Sequence, residues 1–148
     1  MCIRDRFHSF VEAIAEKISP ISNSFSLRLR ELKAIESKSR NDLIKDLTGL
    51  YRCNVKAIEA VPPAIGAFLF TGSFREAVIL AVSLGGDTDT IGAMAGAIAG
   101  GYYGGSQIPS GWLEVMENKG KGKDYVIKLA RRAAKLSIDK NNKKVSNP

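Results

Sequence analysis

The chain has 148 residues, enough for one domain with a real core, and 45% hydrophobic with 25% charged residues excludes a fibrous or wholly disordered protein. The net charge of +7 suggests a polyanion partner until its distribution is read: residues 119–148 hold ten Lys or Arg against Asp124 and Asp139, a net of +8, which leaves −1 for the rest. The excess belongs to a basic tail, no stretch interleaves aromatics with Lys or Arg, and nucleic acid is not the expected partner.

Cys2 and Cys53 offer neither a disulfide framework nor zinc spacing, and the single histidine, His8, cannot build a metal cluster. Residues 1–6 contain no apolar run of a signal peptide, so a cytoplasmic, reducing location is expected. The same hexapeptide fits poorly with the apolar helical pattern that begins at Phe7 and reads as a non-native leader.

Phe7, Phe10, Val11, Ile14 and Ile18 stand at helical spacing, and Pro20 ends that helix. Residues 24–39 read as one polar, weakly amphipathic helix with Leu27, Leu32 and Ile35 on its apolar side. Asn41 or Asp42 can cap a further segment to Leu50. Residues 51–61 are irregular by pattern, and Pro62-Pro63 suit the first turn of a helix to about Phe70, where amides are unpaired anyway. Ser73 with Glu76 three residues on forms a capping box, which makes residues 77–84 a helix although AVILAVSL could pass for a buried strand.

Gly85-Gly86 ends that helix. From Ile91 to Tyr103 the chain is almost wholly small and apolar, with Gly92, Gly96 and Gly100 every fourth residue. On a helix this is a smooth stripe that another backbone can approach; thirteen residues are too few for the ~20 of a membrane span. A short helix carries Trp112, a glycine-lysine linker covers 119–123, and a last amphipathic helix begins at Asp124. Its inward residues are expected to be Val126, Leu129, Ala133 and Leu136. A basic tail, residues 138–148, is expected to be disordered. The fold class is all-α.

One cluster stands above packing. Asp87-Thr88-Asp89-Thr90 puts two carboxylates and two hydroxyls between two buried helices. Asp and Thr cap helices, and that alone would explain any one of them. Two carboxylates drawn together, however, repel unless a cation lies between them, and oxygen-only ligands select magnesium, manganese or calcium. An EF-hand loop beginning at Asp87 fails, because its fifth and twelfth positions are Ile91 and Ile98. A haloacid-dehalogenase-like phosphotransfer site, with Asp87 and Asp89 following a strand, is a lesser alternative that the capping box and Gly85-Gly86 oppose.

The run Ser83-Leu84-Gly85-Gly86-Asp87-Thr88-Asp89-Thr90-Ile91, continuing to Met94-Ala95-Gly96-Ala97-Ile98-Ala99-Gly100-Gly101-Tyr102-Tyr103-Gly104, resembles the C-terminal signature of the ADP-ribosylglycohydrolases. It is most similar to the branch that removes ADP-ribose from serine. Glu59-Ala60-Val61-Pro62-Pro63-Ala64-Ile65 and Ile108-Pro109 with Trp112 extend the likeness. The resemblance implies an all-α helical bundle of which residues 7–137 form the C-terminal part. It also implies two magnesium ions (manganese is an alternative), with Asp87, Asp89 and Thr90 as metal ligands. The implied reaction is hydrolysis of ADP-ribose from a modified protein or an ADP-ribose-containing small molecule, with no membrane partner. Family members also carry, in their N-terminal part, a glutamate acting as general acid/base and a Thr-Asp-Asp group; neither is found here. No catalytic residue is therefore assigned in this chain, and a non-catalytic, ADP-ribose-binding or structural derivative is the alternative. Glu12, Asp42, Asp46 and Glu59 are the other acids considered, and Glu59 reads as structural. Asn54 and Lys56 replace the family's usual glycine or alanine, so adenosine-side contacts are not carried over to that stretch.

Overall fold

The computed structural model describes residues 3–37 and 39–145, all helix and connecting loop with no strand among them. The chain divides into two units, Met1–Ile108 and Pro109–Pro148. The first holds α1 (Ile3–Ile18), α2 (Asn23–Arg30), α3 (Arg40–Leu50), α4 (Ala57–Leu69), α5 (Phe74–Val82) and α6 (Thr88–Tyr103). The second holds α7 (Ser110–Val115), which carries Trp112, and α8 (Lys123–Val145). Among the described residues no helix is long and apolar enough to cross a membrane.

In the first unit, α4, α5 and α6 pack pairwise on one another, and α1 packs on α2, which in turn meets α4. The centre is built from small residues and a few large ones. Ala60, Ala64, Ala67, Ala77, Ala81, Ala95 and Ala99 let the helices close up, while Leu29, Leu32, Leu47, Leu80 and Ile91 fill the space between. Phe10, placed on the apolar side of α1 by its spacing, is 44% exposed, whereas Val11 and Ala15 are buried.

Several expectations change. The helix read over 24–39 is broken: α2 ends at Arg30 and tightens into a 3₁₀ turn, Glu31–Ala34, after which Ile35 is extended. Leu27 is exposed and Leu29 takes its place in the core. Leu32 in the tighter turn and the extended Ile35 beyond it are both buried beside Leu29. The cap of α3 is Ser39, whose hydroxyl accepts the Asp42 amide at 3.2 Å, rather than Asn41 or Asp42.

Pro62 and Pro63 lie at the sixth and seventh residues of α4 instead of its first turn. Each removes a helix hydrogen bond, at about 3 kcal/mol for an ordinary interior proline. Both rings are among the fully buried side chains, so packing offsets what the backbone loses. Another change is in the second unit, where Val126, Leu129 and Leu136 of α8 are exposed rather than inward. The helical backbone of α8 continues to Val145, into the expected tail, with no Gly or Pro between Lys123 and that residue. The last three residues of that tail, and the first two of the leader, lie outside the described residues.

Other signals are realised as read. Ser73 Oγ accepts the Glu76 amide at 3.2 Å, and Glu76 Oε2 accepts from the backbone at Gly72, 3.1 Å away. The capping box thus closes on the residue before the cap. The glycine stripe of α6 faces α5 in antiparallel order: a methyl group at Gly92, Gly96 or Gly100 would meet Val82, Val78 or Phe74 respectively. Only the first is tight, at 2.8 Å from Val82 Cγ1; the others, at 3.5 and 3.6 Å, are ordinary contacts.

Charge ties α1 to α2. Glu12 accepts from Arg30 Nε at 2.8 Å and from Lys33 Nζ at 2.5 Å, and the buried Ser26 hydroxyl donates to the Ala15 carbonyl at 2.8 Å. The hydrogen bonds from Arg30, then Lys33, hold the Glu12 carboxyl down at about 2.

These contacts can be tested by substitution. Gly96→Ala should stabilise the chain by ~0.5–1 kcal/mol through helix propensity, whereas Gly92→Ala should show no such gain because Val82 must shift; urea unfolding of the two variants decides this, and equal gains would contradict the packing. A carboxyl lowered on folding stabilises the folded state above its ordinary pKa, and that contribution is lost as pH falls through the folded value. Glu12→Gln should therefore flatten the loss of thermal stability between about pH 4.5 and about pH 2, and a melting profile parallel to that of the parent would refute it.

Candidate metal centre

Helix α5 closes at Ser83, whose hydroxyl bonds back to the Ile79 carbonyl, and Leu84 is buried just beyond it. The chain then reverses through two left-handed glycines, Gly85 at φ +76° and Gly86 at φ +69°. Asp87 precedes the first residue of α6, so Thr88, Asp89 and Thr90 form the first turn of that helix, three residues earlier than the apolar run suggests.

The Asp87 amide donates to the Cys53 carbonyl across 2.7 Å. Gly86 lies against the same carbonyl so closely that a Cβ there would sit 2.1 Å from its oxygen. Cys53 itself has a positive φ of 47° and is buried. Two bent stretches of backbone are thus locked face to face, and Asp87 is fixed by its main chain.

Its side chain is left for other use. Asp87 stands where a capping aspartate would stand, yet its carboxylate makes no capping hydrogen bond to the amides of α6. Asp89 Oδ1 accepts the Thr90 amide at 3.0 Å. Hydrogen bonding with the Asp87 carboxyl, then with the Thr90 and Asp89 amides, holds the Asp89 carboxyl below the usual carboxylate range. Asp87 is half-buried, while Asp89 and Thr90 are exposed. The result is two carboxyl groups, one residue apart, and a hydroxyl at the positive end of a sixteen-residue helix.

This donor set fits one side of a hard divalent cation. Its oxygens are of the right type, and a cation would offset the charge of the two carboxylates when both are ionised. Three protein oxygens fall short of the six or so ligands such an ion takes. No group of three or more His, Cys, Asp and Glu among the described residues forms a fuller site. With α5 a capped helix, no strand delivers Asp87 as a phosphotransfer nucleophile would require.

The other acids serve the fold. Ser37 and Ser39 hydroxyls donate to Asp46 and Asp42, each at 2.5 Å, and Glu12 is held by Arg30 and Lys33. Glu59 accepts Arg28 Nη2 at 3.0 Å on both oxygens and the Arg52 amide at 2.7 Å. These contacts bear out its structural reading. Sequence reasoning missed Cys53, and residue type could not have flagged it, because the group in use is a backbone carbonyl. An open aromatic groove of about 600 Å³, lined by Phe7, Phe10, Phe68 and Tyr102, includes none of the loop residues and offers no carboxylate.

The contact with Cys53 gives a direct test. Gly86→Ala should destabilise the chain by ~3 kcal/mol, from the left-handed backbone and the collision with the Cys53 carbonyl together. Gly85→Ala, with open space around it, should cost only the ~1–2 kcal/mol of the backbone conformation. Chemical denaturation of both would expose an error if the order were reversed.

Comparison with known proteins gives the family of the chain. The sequence pattern of the ADP-ribosylglycohydrolase family matches residues 3–143. The chain is 35% identical to "ADP-ribosylhydrolase ARH3" of Bos taurus and 34% to that of Homo sapiens, in each case over 70% of this chain and 31% of the relative. It is 39% identical to the "ADP-ribosyl-[dinitrogen reductase] glycohydrolase" of Rhodospirillum rubrum over 42% of this chain and 21% of that protein. The match therefore spans about a third of the length of the ARH3 relatives. No solved structure matches. A capped all-α core, the glycine-bounded aspartate loop and a family match along nearly the whole chain lead to one conclusion: the chain belongs to the ADP-ribosylglycohydrolase family.

Proposed function

We propose that the chain contributes the Asp87, Asp89 and Thr90 side of the metal site of a magnesium-dependent hydrolase that releases ADP-ribose from modified proteins or related ADP-ribosyl compounds. Manganese could replace magnesium without change of donor chemistry. The observation that carries this reading is the Asp87 carboxylate, which stands at a capping position without capping while its backbone is pinned to Cys53. A mere helix cap would spend that carboxylate on the amides of α6.

A bound divalent cation would hold substrate hydroxyls and offset charge as the glycosidic bond breaks. The chain's own share is to bind and orient: Asp87 and Asp89 supply charge, Thr90 a neutral oxygen, and the pinned loop keeps the three in register. The general acid/base is assigned outside the described residues, since Glu12, Asp42, Asp46 and Glu59 are all engaged in holding the fold. The alternative, a non-catalytic ADP-ribose-binding or structural protein, is favoured by the same engagement of every other acid considered.

A chimera separates the two. Replacing the matched 117 residues of the bovine relative by those of this chain should preserve magnesium-dependent release of ADP-ribose from a modified peptide. Asp87→Asn in the chimera should lower the rate by about 100-fold or more, and the 148-residue chain alone should release none. A folded but inactive chimera would favour the non-catalytic reading, and release by the isolated chain would place the acid/base within it.

A further inference from the structure

The geometry points to Arg28 and Glu59 as positioning residues for the metal loop, acting through the carbonyl of Cys53. The inference rests on the metal site proposed above. It concerns two side chains that sit outside the loop and on other helices, α2 and α4.

Cys53 occupies a left-handed conformation that a side-chain-bearing residue takes only at a cost of ~1–2 kcal/mol. Something must hold it there. The residues on its N-terminal side are clamped one after another. Arg28 Nη2 donates to the Leu50 carbonyl at 2.8 Å. The Tyr51 hydroxyl donates to the Arg28 carbonyl at 2.7 Å, its ring lies under the Arg28 guanidinium at 4.7 Å, and the residue is 1% exposed. The Arg52 amide donates to Glu59 Oε2 at 2.7 Å.

Glu59 also takes Arg28 Nη2 on both oxygens at 3.0 Å, and Arg28 pairs further with Glu31. Two charged side chains therefore fix three consecutive residues, and the next carbonyl is the one that receives the Asp87 amide. Loss of the Glu59 charge frees the Arg52 amide and loosens Arg28 together, because both bonds end on one carboxylate. The Cys53 carbonyl then has freedom to relax from its positive φ, and Asp87 loses its register with Asp89.

The test uses the full chain, labelled with ¹⁵N, and the variants Glu59→Gln and Arg28→Lys. Each is read by hydrogen exchange at the Asp87 amide and by titration with manganese, followed as line broadening at Asp87, Thr88, Asp89 and Thr90. In Glu59→Gln the Asp87 amide should exchange about 10-fold faster, and half-broadening should need about 10-fold more manganese. The amides of Leu80 and Ala95, buried in α5 and α6, should change by less than about twofold if stability is not the cause. Arg28→Lys, which keeps the charge but loses the forked geometry, should move the same two readouts in the same direction.

Unchanged exchange at Asp87, or equal acceleration at Asp87, Leu80 and Ala95, would overturn the inference and leave a purely structural ion pair. Absence of broadening at the loop in the parent chain would defeat the metal reading alone. Selective loss of Asp87 protection in Glu59→Gln would still decide the clamp.

Discussion

The Asp87 amide meets the Cys53 carbonyl across 2.7 Å, and the rest of the metal loop depends on that contact. It joins two turns, one that glycine takes without strain at Gly86 and one in which Cys53 bears the cost of a positive φ. A hydrogen bond of this kind contributes only ~1 kcal/mol to stability, so its importance is geometric. It sets where α6 begins. It also leaves the Asp87 side chain free of helix capping, so that the carboxylate faces its neighbour Asp89 instead. The tight fit of Gly86 explains why the reversal needs a residue without a Cβ there, whereas Gly85 answers only to its backbone angle.

Around this contact the three central helices use small residues to approach and buried large ones to lock. Gly92 marks the close crossing of α5 and α6, and further along the stripe the helices separate to ordinary distances. Pro62 and Pro63 show the same priority from the other side. Their buried rings outweigh lost helix hydrogen bonds, so α4 runs straight through a pair that local rules would place at its start. In this core packing decides wherever it conflicts with backbone propensity.

Legible in the sequence was whatever depends on near neighbours in the chain. Ser73 and Glu76 announced α5, and the Asp87-Thr88-Asp89-Thr90 cluster stood out because two carboxylates in four residues are hard to explain by packing. The break after Arg30 was not legible, since Glu31, Leu32, Lys33 and Ala34 are competent helix formers and nothing in their spacing marks a tighter turn. Nor was the exposure of Val126, Leu129 and Leu136, whose spacing promised a buried face. Among the described residues of its unit the other helix is α7, six residues long, too short to cover that side. Arg28, Tyr51 and Glu59 come from separate elements, and no spacing rule connects them.

The use of a main-chain oxygen at Cys53 has an evolutionary consequence. Selection on the contact acts on the shape of the backbone, while the side chain answers to burial in the core and to the left-handed angle. Glycine would meet the angle with less strain than cysteine does, whereas a buried aspartate would add a desolvation cost. Small residues that accept both burial and the left-handed angle can therefore replace one another here while the loop stays in place. Variation there would not signal a decayed site, and a survey that ranks positions by side-chain identity would pass over one of the atoms that holds the loop in register.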